Sequence, residues 1–262
     1  EIKTDRELEV LNKNFNQMID RLKYQQNKLI ANERHEAWES IARKIAHEIK
    51  NPLTPIQLII DNLKNKYSEL FDEKNKDSFL EKIKTVNKQI KLIEKLVNEF
   101  SDFARMPKPI FKKNELNKII KDSIDLMKTN DKDIDINFVY EKVYFVKSDI
   151  EQLNRVFINL FKNSIESLKE KSEKVGDFQK KINVEIQLIN DYINIIVKDN
   201  GTGFTNNDPK IFSKPYFTTK KEGSGLGLSI VEKILNDHNG FIEFIPQKGG
   251  AKIKILLPKY VN

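Results

Sequence analysis

The run HEIKNPLTPI contains the first residue of this chain whose surroundings suggest chemistry, His47. An apolar seam accompanies it: Ile41, Ile45, Ile49, Pro52, Ile56, Ile59 and Leu63. At about 100° per residue, His47 lies about 200° from Ile45 and from Ile49, on the water side of a helix. A surface histidine is ordinarily inert. Here Glu48 is adjacent and could orient or accept an imidazole proton, making the other ring nitrogen a better nucleophile. Asn51, four residues on, shares the face of His47, and its amide could position water against a phosphoryl group on the ring. Pro52 and Pro55 cannot donate to the carbonyls of Glu48 and Asn51, at a cost of about 3 kcal/mol each in an exposed helix. A bend just after a solvent-facing histidine is hard to explain as core packing.

Three further groups lie in the second half. Asn159 and Asn163 are four apart on one helix, so their amides point the same way; the pair suits a hydrated Mg²⁺ and a phosphate chain, or is simply two solvated asparagines. Asp199-Asn200-Gly201-Thr202-Gly203 ends an expected strand. The carboxylate could accept a hydrogen bond from an exocyclic amine such as that of adenine, while Gly201 and Gly203 let the backbone turn close to a ligand. Taken alone it is equally a plain turn. Gly223-Ser224-Gly225-Leu226-Gly227 opens a helix near Leu228, where free N–H groups and the helix dipole favour phosphate. No Gly-Lys-Ser/Thr follows, so it is not a Walker A loop, and no βαβ unit surrounds it as a Rossmann site requires.

The elements that must position these groups divide the chain. The first hundred residues hold no glycine and read as helix. Leu8, Leu11, Phe15, Met18, Leu22 and Leu29 form a heptad seam suited to a coiled coil. After the seam of His47, a third runs Phe79, Ile83, Val86, Ile90, Ile93, Val97 and Phe100. Two amphipathic helices joined by a polar turn make a hairpin that cannot bury both stripes well. Pairing two copies into a four-helix bundle would, so a homodimer is expected. Met106-Pro107-Lys108-Pro109 stops the second helix and reads as a linker. Beyond it, helices are expected over 115–128, 149–171 and 229–239. Strand-like pieces lie within 134–146, and strands over 183–189, 192–198, 241–245 and 252–257. Helices with an antiparallel-looking sheet imply an α+β sandwich.

Composition bounds the function. The chain has 262 residues, 39% hydrophobic and 32% charged, enough apolar material for packed cores. It has no cysteine, which excludes disulfides, thiolate metal sites and Cys nucleophiles. Net charge is +7, yet only six of the 46 basic residues are Arg and the Lys are spread among 39 acids, so no nucleic-acid partner is expected. No run reaches the roughly 18–20 apolar residues of a membrane helix. An opening at Glu1 rather than Met suits a fragment of a longer protein, and no signal peptide is visible. His35 reads as a solvated helix face, Trp38 as core, Phe217 as either core or ligand contact, and His238 as a cationic cap at a helix C-terminus.

The order of these groups resembles the sensor histidine kinases of two-component signalling. HEIKNPLTPI looks like their H box with His47 as phosphoacceptor, and RVFINLFKNSIES like the N box with Asn163 in the Mg²⁺-binding position. KDNGTGF looks like the G1 box with Asp199 in the adenine-reading position, IFSKPYFTTK like the F box, and GSGLGLSIV like the G2 box. The resemblance covers roughly residues 36 to 258. It implies a dimerisation and phosphoacceptor hairpin over 35–106, followed over 107–262 by a Bergerat-type α/β sandwich that binds ATP, with a mobile lid over 204–224. The implied nucleotide contacts are Asn159, Asn163, Asp199, Gly201, Gly203, Thr218, Thr219, Lys220, Gly223, Gly225, Leu226 and Gly227, with Mg²⁺ at Asn163; Lys220 or Lys221 would steady the phosphates. The implied catalytic residues are His47, Glu48 and Asn51, and the implied partner is the receiver domain of a response regulator. The ATP domain is expected to swing on the linker at Pro107 and Pro109.

WESIARKIAHEIKNPLTPIQL and EFSDFARMPKP are similar to the NtrY branch of nitrogen-related regulation, which suggests an NtrX-like regulator. ELEVLNKNFNQM, within residues 1–34, is similar to the last helix of a HAMP linker. That likeness implies the cytoplasmic portion of a protein anchored in the bacterial inner membrane by segments upstream. Ser164 and Ser167 stand where the N box often has Ala, with no loss of binding expected, and Lys248-Gly249-Gly250-Ala251 lacks the more usual Gly-x-Gly-Thr. Two other readings are an ATPase of the same fold, such as a chaperone or repair protein, and a dimeric scaffold that binds nucleotide without transfer. The first lacks a His-Glu pair on a dimerising hairpin and uses a Glu base where this chain has Asn159. Intact His47, Glu48, Asn163 and Asp199 argue against the second.

Overall fold

A computed structural model describes residues 41, 44–67, 73–104, 106–131, 133–204, 211, 212, 214, 217, 218 and 223–261. The HAMP-like helix, His35, Trp38, Thr219, Lys220 and Lys221 lie outside the described residues. The chain divides into two compact units, 1–106 and 107–262.

The first unit holds a helix over 44–67 (α1) and a second, Glu73–Ala104 (α2). Neither Pro52 nor Pro55 interrupts α1. The Thr54 hydroxyl donates to the Lys50 carbonyl at 3.4 Å, a weak contact beside the donor-free prolines. The apolar seams do not close on each other as a single stripe. Ala46 and Leu53 of α1 are buried, as are Ile83, Ile90 and Val97 of α2, spaced by sevens. The other flank stays in water: Ile41, Ile45, Ile49, Ile56 and Ile59 (the last four in α1), and Val86 and Ile93 of α2, are all exposed, Ile59 by 58%. A lone pair of helices covers one flank of the α2 stripe and leaves the isoleucines of the α1 stripe in water. Within the hairpin, the Gln57 amide donates to Asn87 Oδ1 across the helices at 3.1 Å and lies 3.3 Å from Asp61 Oδ2.

The second unit begins with the strand Lys112–Glu115 (β1), followed by the helix Leu116–Asn130 (α3) and the strands Asp135–Tyr140 (β2) and Phe145–Ser148 (β3). The helix Ile150–Val175 (α4) comes next, then the hairpin Lys181–Ile189 (β4) and Tyr192–Asp199 (β5). The helix Gly227–Asp237 (α5) and the hairpin Phe241–Gln247 (β6) and Gly250–Pro258 (β7) complete it. The main sheet runs β2-β4-β5-β7-β6, and β1 pairs with β3 separately. The sheet is mixed rather than wholly antiparallel, because β2 lies parallel to β4. Sequence patterning finds β2 and β3 as strand-like pieces but misses β1, whose four residues, KKNE, carry no apolar alternation.

One sheet face meets α3, α4 and α5. Alternation puts Ile193, Ile195 and Val197 of β5 and Ile253, Ile255 and Leu257 of β7 on that face, all buried. Leu153, Val156, Phe157, Leu160 and Phe161 of α4 answer them, also buried, with the Phe157 and Phe161 rings stacked at 6.3 Å. Asp149 starts α4 by accepting from the N–H groups of Glu151 at 3.0 Å and Gln152 at 3.1 Å, a cap worth about 1 kcal/mol.

Phe157 is fully buried at the centre of this layer. Phe157→Ala should therefore lower unfolding free energy by about 3–5 kcal/mol in urea, while Ile189→Ala, on an exposed strand end, should change it by less than about 0.5 kcal/mol.

Candidate functional site

Asp199 ends β5 and is buried, at 4% exposure. A charge there needs partners, and the chain supplies them from three directions. Its Oδ1 accepts from the N–H of Gly201 at 3.0 Å and of Ala251 at 3.1 Å. Ser164 of α4 gives it a side-chain hydrogen bond. Burial pushes the Asp199 pKa up, while the Ala251 and Gly201 amides, Ser164 and the Lys171 ammonium pull the other way. Lys171 Nζ donates to the Asn200 carbonyl at 2.5 Å, and the Asn200 side chain closes the strand end by accepting from Lys181 N at 2.8 Å.

These supports require glycine at two places. A Cβ on Gly250, whose φ is 149°, would fall on the Asp199 carbonyl oxygen. A Cβ on Gly201 would fall on Ser167 Oγ. Ser167 in turn accepts from Thr202 N at 3.0 Å and meets Thr202 Oγ1 at 3.1 Å. Two features read from sequence as departures thus act here: Ser164 and Ser167 pin the turn after β5, and Gly250-Ala251 supplies the amide that holds the carboxylate. The available signal was position alone: Ser167 is one turn on from Asn163 on the same face of α4, and Ser164 is its immediate neighbour.

Asn159 and Asn163 converge on the start of α5. Asn159 donates through Nδ2 to the Arg155 carbonyl at 2.9 Å. Its Oδ1 would be 3.5 Å, and Asn163 Nδ2 4.0 Å, from a Cβ built on Gly227. Gly227 therefore leaves room between these amides and the helix end. No side chain caps α5 at Leu226, and its first turn carries no acidic residue. Ser224 Oγ accepts from Leu226 N at 3.3 Å, and Gly225 turns the loop with φ 70°. Amide oxygens suit Mg²⁺, but no cluster of three His, Cys, Asp or Glu exists among the described residues to hold a metal. The residues fit a metal that arrives with the charge of a phosphate chain.

Aromatic rings root the expected lid. Phe212 is buried, with Phe204 at 4.6 Å, Phe244 of β6 at 5.9 Å and Phe217 at 6.0 Å. Phe217 thus packs edge-on in this cluster. Thr218 is exposed.

On the first unit, His47, Glu48 and Asn51 are all exposed on α1. Glu48 pairs with Lys44 at 3.9 Å, both well solvated, a contact of little energy.

His238 corrects the expectation of a cationic cap. It is buried, and its Nδ1–H donates to the Ile234 carbonyl at 2.7 Å while Nε2 accepts from Asp149 N at 3.0 Å. An imidazolium could not accept that bond. Burial pushes its pKa down, against the Ile234 carbonyl and the Asp149 and Asp237 carboxylates, which raise it. Asp149 has a lowered pKa: burial raises it, but bonds from the backbone N–H groups of Ile110, Gln152 and Glu151 outweigh this.

Residues 37–109 match the His Kinase A (phospho-acceptor) domain, and residues 148–261 match the Histidine kinase-, DNA gyrase B-, and HSP90-like ATPase domain. A sensor histidine kinase NtrY-like protein of Rickettsia typhi is 37% identical over 250 residues, 92% of this chain and 39% of the relative. The nitrogen regulation protein NtrY of Azorhizobium caulinodans is 35% identical over 231 residues, 87% of this chain and 30% of the relative. The chain spans well under half the length of either. The crystal structure of histidine kinase ThkA in complex with response regulator protein TrrA is similar at 25% identity and a TM-score of 0.58, over 83% of this chain and 60% of that one.

Two outcomes follow from the geometry. Gly250→Ala should cost more stability than Gly249→Ala. The latter meets nothing within 4 Å and bears only the strain of φ 80°, about 1 kcal/mol, whereas the former adds a collision with Asp199. Urea unfolding of the two variants compares them. The second concerns pH. A ring neutral when folded, but protonating near 6.5 when unfolded, stabilises the fold above that value and loses its contribution as pH falls below it. The urea midpoint should drop between about pH 7.5 and 5.5, and His238→Gln should flatten that drop.

Proposed function

The chain belongs to the sensor histidine kinase family, on its NtrY-like side, and from that premise we propose that it phosphorylates His47 from ATP, passes the phosphoryl group to an aspartate of a response regulator, and in reverse mode dephosphorylates that regulator. The observation that carries this reading is the convergence of Asn159 and Asn163 on the uncapped start of α5, with Asp199 fixed at the end of β5.

In this reading the exocyclic amine of adenine donates to Asp199. Two backbone amides and Ser164 already orient that carboxylate, so little reorganisation accompanies binding. The phosphate chain lies between the two asparagines and the N–H groups opening α5, where the helix dipole favours negative charge. Asn163 would hold a Mg²⁺ ion, which would supply charge neutralisation to the phosphate chain. Thr218, Thr219 and Lys220 close over the nucleotide from the lid. Phe212, packed among Phe204 and Phe244, anchors the root of that segment on the sheet.

An imidazole nitrogen of His47 attacks the γ-phosphorus. The new P–N bond forms as the bond to the bridging oxygen of ADP breaks, and Glu48 takes the ring proton after leaving Lys44. The protein contributes mainly positioning and charge stabilisation. Transfer to the receiver aspartate regenerates His47. In the reverse mode, Asn51, one turn from His47 on the same face, orients water against the phosphorylated regulator.

The exposed isoleucines of α1, with Val86 and Ile93 of α2, support a homodimer, since a second hairpin would cover them as a four-helix bundle. An NtrX-like regulator, a nitrogen-related role, and an origin as the cytoplasmic portion of an inner-membrane protein with a HAMP-like segment over 1–34 rest on the NtrY likeness. No helix among the described residues is long and apolar enough to cross a membrane.

Radiolabelled ATP tests the first step. The wild-type chain should take up acid-labile phosphate, and His47→Gln should reduce uptake at least about a hundredfold; equal uptake in the two removes His47 as acceptor. Asn51→Ala should slow regulator dephosphorylation about tenfold or more while leaving autophosphorylation intact.

A further inference from the structure

Residues 107–111 join the second unit to the helical hairpin, and their composition reads as a free linker. The structure holds them on the second unit at three points. Gln152 Nε2 donates to the Pro107 carbonyl at 2.8 Å. Asp149 Oδ2 accepts from Ile110 N at 2.8 Å. The Phe111 ring stands edge-on to the His238 imidazole at 5.1 Å. The three holding residues form one assembly. Asp149 caps α4 through its other oxygen, Gln152 lies in the first turn of that helix, and His238, ending α5, accepts the Asp149 N–H.

Packing alone does not account for Gln152. It is 7% exposed, and its Oε1 is buried with no hydrogen-bond partner. An amide that leaves its oxygen unsatisfied is less stable there than a leucine of similar size, unless the bond from its nitrogen matters. That bond goes to the segment leading to the other unit.

We propose that Asp149, Gln152 and His238 clamp residues 107–111 as a rigid extension of the ATP-binding unit, and so are positioning residues for phosphoryl transfer to His47. The role rests on the kinase reading above. A swivelling linker spreads the nucleotide over many orientations relative to the hairpin; a clamped one removes the swivel dihedrals between Pro107 and Phe111 from that search. Reaction rates fall steeply when reacting atoms are held loosely, by about a hundredfold for a misplacement of order 1 Å. None of the three residues belongs to the nucleotide contacts, so loosening the clamp acts on transfer and spares binding.

The test uses the whole chain with two variants, Gln152→Leu and Phe111→Ala, each removing a different contact. Nucleotide affinity reports folding of the ATP unit, and hydrogen exchange at the Ile110 amide reports the clamp. The expected result is faster Ile110 exchange, nucleotide affinity within about twofold of wild type, and a His47 labelling rate at saturating ATP lower by about tenfold or more, so that kcat falls while KM holds. If Ile110 exchanges faster and labelling keeps the wild-type rate, the positioning role is overturned and the kinase reading stands. If the wild-type chain itself takes up no acid-labile phosphate, the role falls together with that reading.

Discussion

A buried carboxylate sets the terms for the second unit. Asp199 at the end of β5 is withdrawn from water, and a charge so placed must be met by donors or be neutralised. The chain meets it with the backbone of its own following turn, the backbone entering β7, and a serine of α4. Each donor restricts its element. The turn must run so close to α4 that Gly201 has no room for a side chain, and β7 must start so close to β5 that Gly250 has none either. Lys171 on the Asn200 carbonyl and Ser167 on Thr202 then hold the turn to the same helix that carries Asn159 and Asn163. One electrostatic requirement thereby joins the end of the sheet, the central helix and the last hairpin into a single rigid corner.

Much of this was legible in the sequence, because the features are local. The alternation of β4, β5 and β7, the capped apolar run of α4 and the glycine-dense loop before α5 each announce themselves within a dozen residues. Asp199, Asn159 and Asn163 could be singled out for the same reason, since their types and spacing constrain what they can do. What escaped depends on contacts between distant segments. The role of Ser164 and of Gly250-Ala251 exists only once β5, α4 and β7 have met. The parallel pairing of β2 with β4 needs a crossover that no periodicity records. His238 read as a cationic cap at a helix end because it precedes Asn239-Gly240; it does end α5, but the fold buries it against Phe111 and hands it the Asp149 amide, which needs a neutral ring.

The first unit shows the complementary limit. Heptad spacing correctly marks α1 and α2 as amphipathic, but it assigns a whole stripe to one interface. The structure splits the α2 stripe, with Ile83 and Ile90 turned into the hairpin and Val86 and Ile93 left outside, while in α1 the isoleucines of the expected stripe are exposed and the buried residues, Ala46 and Leu53, lie off it. A seven-residue repeat is blind to this choice, because it records that a position is apolar and not which of two partners will cover it.

The amide rung between Gln57 and Asn87 bears on how such a hairpin can move. Isoleucines and leucines slide past one another with little discrimination between neighbouring registers. A partly buried pair of amides does discriminate, because an axial slip of either helix would take the Gln57 donor away from the Asn87 oxygen. Rotation or tilt about the rung keeps the two amides within reach. The rung therefore disfavours piston-like displacement of α1 along α2 more than it does twist about the rung, by about the 1 kcal/mol of one hydrogen bond.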